Sequence, residues 1–420
     1  MGAIVVIAIV GVIGTIVAQR DTGPAERVSP NAAPDETAAL DDDVSTTTPP
    51  QPSSETVPAA EPFVLLHTLP GVSQKVEVVS ATPGGTLPDL AEAEVGQVPA
   101  WTEWTIPVPA GLDTLDQPTE VIVLSSRVLH RIEFPSGRVR SVALAERWDP
   151  NAYLAVSGDT IAVTTFRDVL LLGNDRPVTR AGVGQGVDAI RARPAVGDFV
   201  VTLRRSSQVG PDQQRLLSAV GVLTDLTGTV AEAIPAWDQS ILPSGELAGN
   251  RPGGAYALGI DGTARRFDDG SLVAVGANHY AVNRCDEQLQ CAQFVVDART
   301  GEATPAVLTP LEPYFYFDPS LAISPDGRFV VYPDWQQPEL VWGLIDVESG
   351  DVADLVTTPE SLFGYSWAAD SSGVFTGWND TLLFNDVEGR TVGISGFGRI
   401  HAVVAQPVGP PVAQPGAVVE

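Results

Sequence analysis

Two cysteines, Cys285 and Cys291, are the chain's only thiols, and the five residues DEQLQ lie between them. If the flanking segments HYAVNR (279–284) and AQFVVD (292–297) pair as a hairpin, the two side chains face each other. Directly opposed residues on antiparallel strands have Cα atoms about 4.5 to 5.5 Å apart, which is within disulfide range. The spacing predicts a disulfide, and with it a compartment that lets one persist. It is not the C-x-x-C of thiol oxidoreductases, and nearby His279 would add only one further metal ligand.

Other reactive groups are scattered. His67, His130, His279 and His401 sit in separate strand-like segments, and no G-x-S-x-G elbow presents a serine to any of them. They read as packing histidines. The H-E-x-x-H spacing is absent, and Asp41-Asp42-Asp43 lacks the alternating oxygen ligands of a calcium loop. Glycosidase chemistry needs two carboxylates about 5 to 9 Å apart. Among 52 acidic residues, abundance alone singles out no such pair. Asp268 and Asp269, in FDDGS, read as turn residues, whereas Asp318 is an acid in an apolar run, YFYFDPS. In that run, period two puts Tyr314 and Tyr316 on one face and Phe315 and Phe317 on the other. The phenylalanines suit packing. Tyr314, Tyr316 and Asp318 form the candidate binding surface, with a peptide or glycan as its expected ligand.

These residues must be held by strands. Short runs rich in Val, Ile, Leu and aromatics dominate from Glu61 to Ala405, as in TIAVTTF (160–166), DFVVTL (198–203) and RFVVYPD (328–334). Helical spacing is rare, and Gly or Pro breaks most of it. The turns recur. A strand runs into an acidic or polar pair, then a glycine turn, then another strand. Gly137, Asn174, Gly228, Gly262, Gly301, Gly350 and Gly389 mark them, 252 residues over six intervals, a mean of 42. That is the size of a four-stranded propeller blade. The segment 204–217, RRSSQVGPDQQRLL, reads as an excursion within one blade, and RIHAVVA (399–405) as a strand that pairs with an early blade.

The net charge of −28 excludes a nucleic-acid binder, which needs a basic surface. Residues 3–18 are almost wholly apolar, but as a helix they rise only about 24 Å, short of the roughly 30 Å hydrocarbon core. They are expected to be an uncleaved membrane anchor, with a cleaved export signal as the alternative. Residues 20–60 hold eight acids and seven prolines, and cannot offset their ordering entropy.

A second turn class lies upstream of the first, and its best copy is LAISPDGRFVVY (321–332). Pro325, Asp326 and Gly327 suit the second, third and fourth positions of a type I turn, with Ser324 able to cap it. Here the sequence resembles the WD40-like repeats of TolB-type β-propellers, whose blades carry an S-P-D-G turn before a strand. Looser counterparts lie at 154–163, 192–201, 267–275 and 366–378. The resemblance implies a propeller, often with a binding role, and specifies no ligand.

The expected protein is all-β. It has an anchor or signal-like segment (1–19), a disordered acidic linker (20–60), a seven-bladed β-propeller (61–405) and a disordered tail (406–420). Its expected role is a monomeric, membrane-tethered extracytoplasmic module that binds an envelope protein, an extracellular protein or a small ligand. No catalytic residue, metal or cofactor is expected. The alternatives are a propeller hydrolase acting on glycan or peptide, and a purely structural envelope protein.

Overall fold

A computed structural model describes residues 65–409, except 69–74, 83–85, 146–151, 166, 185, 204–212, 227–239, 260–262, 289, 309–321, 335–340 and 356–364. The apolar run 3–18, the linker 20–60, most of the tail and the candidate surface at Tyr314, Tyr316 and Asp318 lie outside the described residues. All regular structure among those described is β-strand, and no helix there is long and apolar enough to cross a membrane.

The strands form antiparallel meanders, each of four strands taken in chain order. They span residues 154–182, 187–225, 240–268, 271–306, 322–355 and 365–395. The 271–306 and 322–355 meanders join into one eight-stranded sheet through a short parallel pairing of Val275 and Gly276 with Ala322 and Ile323. One sheet is built from both ends of the chain. Three consecutive strands span 119–144, and the fourth, Ile400–Pro407, pairs antiparallel with Thr119–Ser125. This is the early partner expected for RIHAVVA. The strand runs past Ala405 because Gln406 and Pro407 stay opposite Glu120 and Thr119.

Strands from residues 65–105 that fit no repeat pad outer edges. Lys75–Ser80 adds to Thr391–Ser395 in parallel, and Thr102–Thr105 adds to Arg138–Leu144.

The core lies between sheets, not within one. Val330 and Tyr332 face the 271–306 meander, packing with Ala274, Ala281 and Val295. Their neighbours Phe329 and Val331 face the other way, packing with Trp367 and Val374 of the 365–395 meander. Burial on both faces explains why these strands read as continuous apolar runs rather than alternating ones. Similar clusters join each meander to the next, and one joins the last to the first: Phe375 and Phe384 pack on Phe134, Val121 and Val403. This is a β-propeller arrangement.

The expected turns have a physical basis. Asp297, Asp346 and Asp386 each accept backbone N–H bonds on Oδ1 from residues two to four positions on. The turns then close on Gly301, Gly350 and Gly389 at φ of 73°, 76° and 87°, the left-handed region that favours glycine. One marker is corrected. Between Gln213–Ser218 and Leu223–Asp225 the turn glycine is Gly221 (φ 86°), so LTD is the last strand of its meander, and the marker Gly228 lies outside the described residues. From Asn174 the interval to Gly221 is 47 residues, against 54 to Gly228, closer to the mean of 42. The excursion at 204–217 does lie within one hairpin, since Asp198–Leu203 pairs with Gln213–Ser218. In the S-P-D-G turn, Ser324 Oγ caps the N–H of Phe329 at 2.9 Å. The turn also bonds both neighbours: Pro325 O accepts from Asn278 Nδ2, and the Asp326 N–H donates to Ser371 Oγ.

Candidate functional site

Glu120 lies on the strand Thr119–Ser125, and its neighbours in register bring Arg131 and Arg140 onto the same face. Arg131 makes a fork to Glu120, Nε to Oε1 and Nη2 to Oε2, both at 2.8 Å. Arg140 Nη2 reaches Oε1 at 3.3 Å, and Gln406 Nε2, from the closing strand, donates to Oε2 at 2.9 Å. Asn174, in a turn of the 154–182 meander, accepts from Arg131 and Arg140 on Oδ1. One carboxylate thus ties the C-terminal strand to the first sheet, and the asparagine ties that sheet to the next. The Trp101 ring lies against Arg131, its centroid 5.8 Å from the guanidinium carbon.

The electrostatics are those of a locked ion cluster. Burial pushes the Glu120 carboxyl up, but hydrogen bonds and charge from Arg131, with Gln406 and Arg140, outweigh it and hold it below the usual value. Burial and the charge of Arg131 lower Arg140. Such a carboxylate is ionised and fully engaged, a poor general acid.

Above this cluster opens a cleft of about 560 Å³. Besides the cluster, it is lined by Glu133 and Arg138, on paired strands of the same sheet, and by Asp159 and Arg176, on turns of the 154–182 meander. Arg138 pairs with Glu133 at 2.7 Å, whereas Arg176 stands 4.0 Å from Asp159, both about half exposed. Four guanidiniums meet three carboxylates here, in a chain that is otherwise strongly acidic.

Of the residues singled out in the sequence, Cys285 and Cys291 are directly opposed and joined by a disulfide. Thiol labelling of unfolded, non-reduced protein is expected to find no free cysteine, and reduction to expose two. Two free thiols before reduction would contradict the bond. The closed loop is small, so reduction should cost about 2 kcal/mol and soften the hairpin without unfolding the rest.

His130 is fully buried, its Nε2 3.1 Å from Ser125 Oγ and its Nδ1 2.9 Å from Ser141 Oγ. Phe397 and Trp104 pack on its ring edge-on, so no substrate reaches it. His279 Nδ1 bonds Pro325 O. Asp268 is a turn residue as expected, but it is also buried in a fork to Arg284 at 3.0 and 2.7 Å. Among the described residues, no three His, Cys, Asp or Glu side chains converge as a metal site.

Nothing in the sequence marks Glu120, Arg131, Arg140 or Gln406, and Asn174 is marked only as a turn residue. They are up to 286 residues apart, and only strand register and the C-terminal pairing assemble them.

No family model matches the chain, and no curated protein matches it at a significant level. Solved structures similar to it include TolB from Acinetobacter baumannii, 14% identical with a TM-score of 0.40, covering 71% of this chain and 68% of that one. Apo AztD from Citrobacter koseri is 13% identical at a TM-score of 0.39, covering 70% of this chain and all of its own. A functionally unknown protein from Desulfotomaculum acetoxidans is 12% identical at 0.42, covering 70% of this chain and 99% of its own. The structural neighbours of this chain are TolB-type and related β-propeller proteins.

Proposed function

We propose that the chain is a seven-bladed, extracytoplasmic binding module that holds an acidic segment of a partner protein in the cleft above Glu120. Six four-stranded meanders and the composite sheet supply the seven blades, and the strand Ile400–Pro407 closes the ring. The disulfide supports an oxidising compartment. The apolar run 3–18 would tether the module to a membrane through the linker.

The observation that carries the binding reading is the state of the cleft's charges. Its deepest carboxylate is consumed by Arg131, Arg140 and Gln406, while Arg176 keeps a half-exposed guanidinium with only a loose partner. Such a guanidinium can fork to an incoming carboxylate. A photo-crosslinking residue at Asp159, on the rim, should capture one partner species from intact cells, and Arg176→Glu should abolish the adduct. The same probe at exposed Val352, on a different blade, should capture nothing specific. Equal labelling at both positions, or an adduct indifferent to Arg176→Glu, would overturn the reading. After alkaline washing, the uncleaved chain should stay in the membrane pellet.

A further inference from the structure

Arg191 lies on the strand Val187–Arg193, opposite Val200 of Asp198–Leu203. Directly opposed residues share a sheet face. Val200 packs with Leu247 and Leu258 of the 240–268 meander, so Arg191 lies on the sheet face turned to that seam, within electrostatic reach of Tyr153. Arg193, two residues on, crosses the same seam to donate from Nε to Gly245 O at 2.6 Å.

The two arginines differ sharply. Arg193 also pairs with Asp198 at 3.2 Å. Arg191 makes no hydrogen bond or ion pair with any described residue, and its Nη1 is buried without an acceptor. Burial disfavours its charged form. A guanidinium does not give up its proton in proteins, so it cannot escape that cost by becoming neutral. An N–H group buried without an acceptor is costly to keep, because it has given up its bond to water for nothing. Among the described residues the apolar cluster of this seam is small, with Val200, Leu247 and Leu258 buried and Leu216, Leu226 and Ile241 partly so.

We propose that Arg191 is the anchor of a binding site for a small oxyanion, a carboxylate or phosphate group seated between these two blades. The planar fork of Arg191 matches either group in a two-point contact. Thr202, on the same face one pair along the strand, brings a buried hydroxyl close by. The site is separate from the cleft above Glu120 and does not depend on the reading given to that cleft.

Thermal unfolding of the full chain tests it, titrating inorganic phosphate or succinate against sodium chloride of matched ionic strength. A ligand that binds only the native state raises the melting temperature with its concentration. Wild type should show a saturable rise with at least one of the two probes. Arg191→Met should show none. In chloride alone, Arg191→Met should melt at or above wild type, because it removes a donor that is buried without an acceptor. Arg191→Lys keeps the charge but loses the fork, and should bind at least tenfold more weakly. A response to phosphate alone assigns a phosphate ligand, to succinate alone a carboxylate, and to both the shared oxyanion chemistry. Equal shifts in wild type and Arg191→Met, no saturable shift in wild type, or full affinity in Arg191→Lys would overturn the assignment.

Discussion

Glu120→Gln is expected to destabilise the protein by about 3 to 5 kcal/mol, the cost typical of removing one partner from a buried ion cluster. Arg131 is only 5% exposed and makes both of its forked bonds to this carboxylate. Replacing one oxygen by an amide that donates leaves a buried guanidinium facing a like donor. The closing strand also loses a firm acceptor for Gln406. The denaturant midpoint should fall with little change in its slope, and Gln406→Ala should reproduce only a small part of the loss. The pH dependence has a definite sign. Because the folded pKa of Glu120 lies below its unfolded value, its contribution is present above the unfolded value of about 4.5 and is lost as pH falls through the folded pKa. A Glu120→Gln variant as stable as wild type at neutral pH would show that the cluster does not hold the ring.

The second large effect comes from His130, at milder acidity. Burial pushes its imidazole down to about 3, opposed only in part by the backbone at Phe397. Below pH 6.5 the unfolded chain takes up a proton that the folded chain refuses, so stability falls as pH drops from 6.5 towards 3. The limiting slope is about 1.4 kcal/mol per pH unit. Between pH 7.5 and pH 5, wild type should lose roughly 2 kcal/mol from this residue alone. His130→Gln, whose amide can still bond Ser125 or Ser141, should be less stable at neutral pH yet nearly flat across that window. A wild type and variant that lose stability in parallel would place the proton elsewhere.

The strands and most turns were legible in the sequence because their causes are local. Asp346 to Gly350 carries its own turn chemistry, an Oδ1 acceptor and a left-handed glycine. The hairpin pairing of Cys285 with Cys291 needed only a short loop and a strand on each side. Gly228 misled because DLTG looks like the same turn, whereas the glycine used is Gly221. The choice depended on which residues the preceding hairpin paired, which the local pattern does not carry. The cleft was illegible for a similar reason. Nothing near TEV, RIE or QPV marks Glu120, Arg131 or Gln406 as partners, since ring closure across 286 residues makes them so. His130 was read as a packing residue, which its burial supports, but its two serine partners come from register.

The central claim is that the C-terminal strand completes the first sheet and so closes the ring. Ala405 stands opposite Val121 in that pairing. With cysteines placed at both positions, Ala405→Cys and Val121→Cys, oxidation of the folded monomer should form one internal crosslink. Peptide mapping should join residue 121 to residue 405 and leave the native Cys285–Cys291 bond intact. Two unlinked thiols in folded, oxidised protein, or links formed only between molecules, would contradict closure.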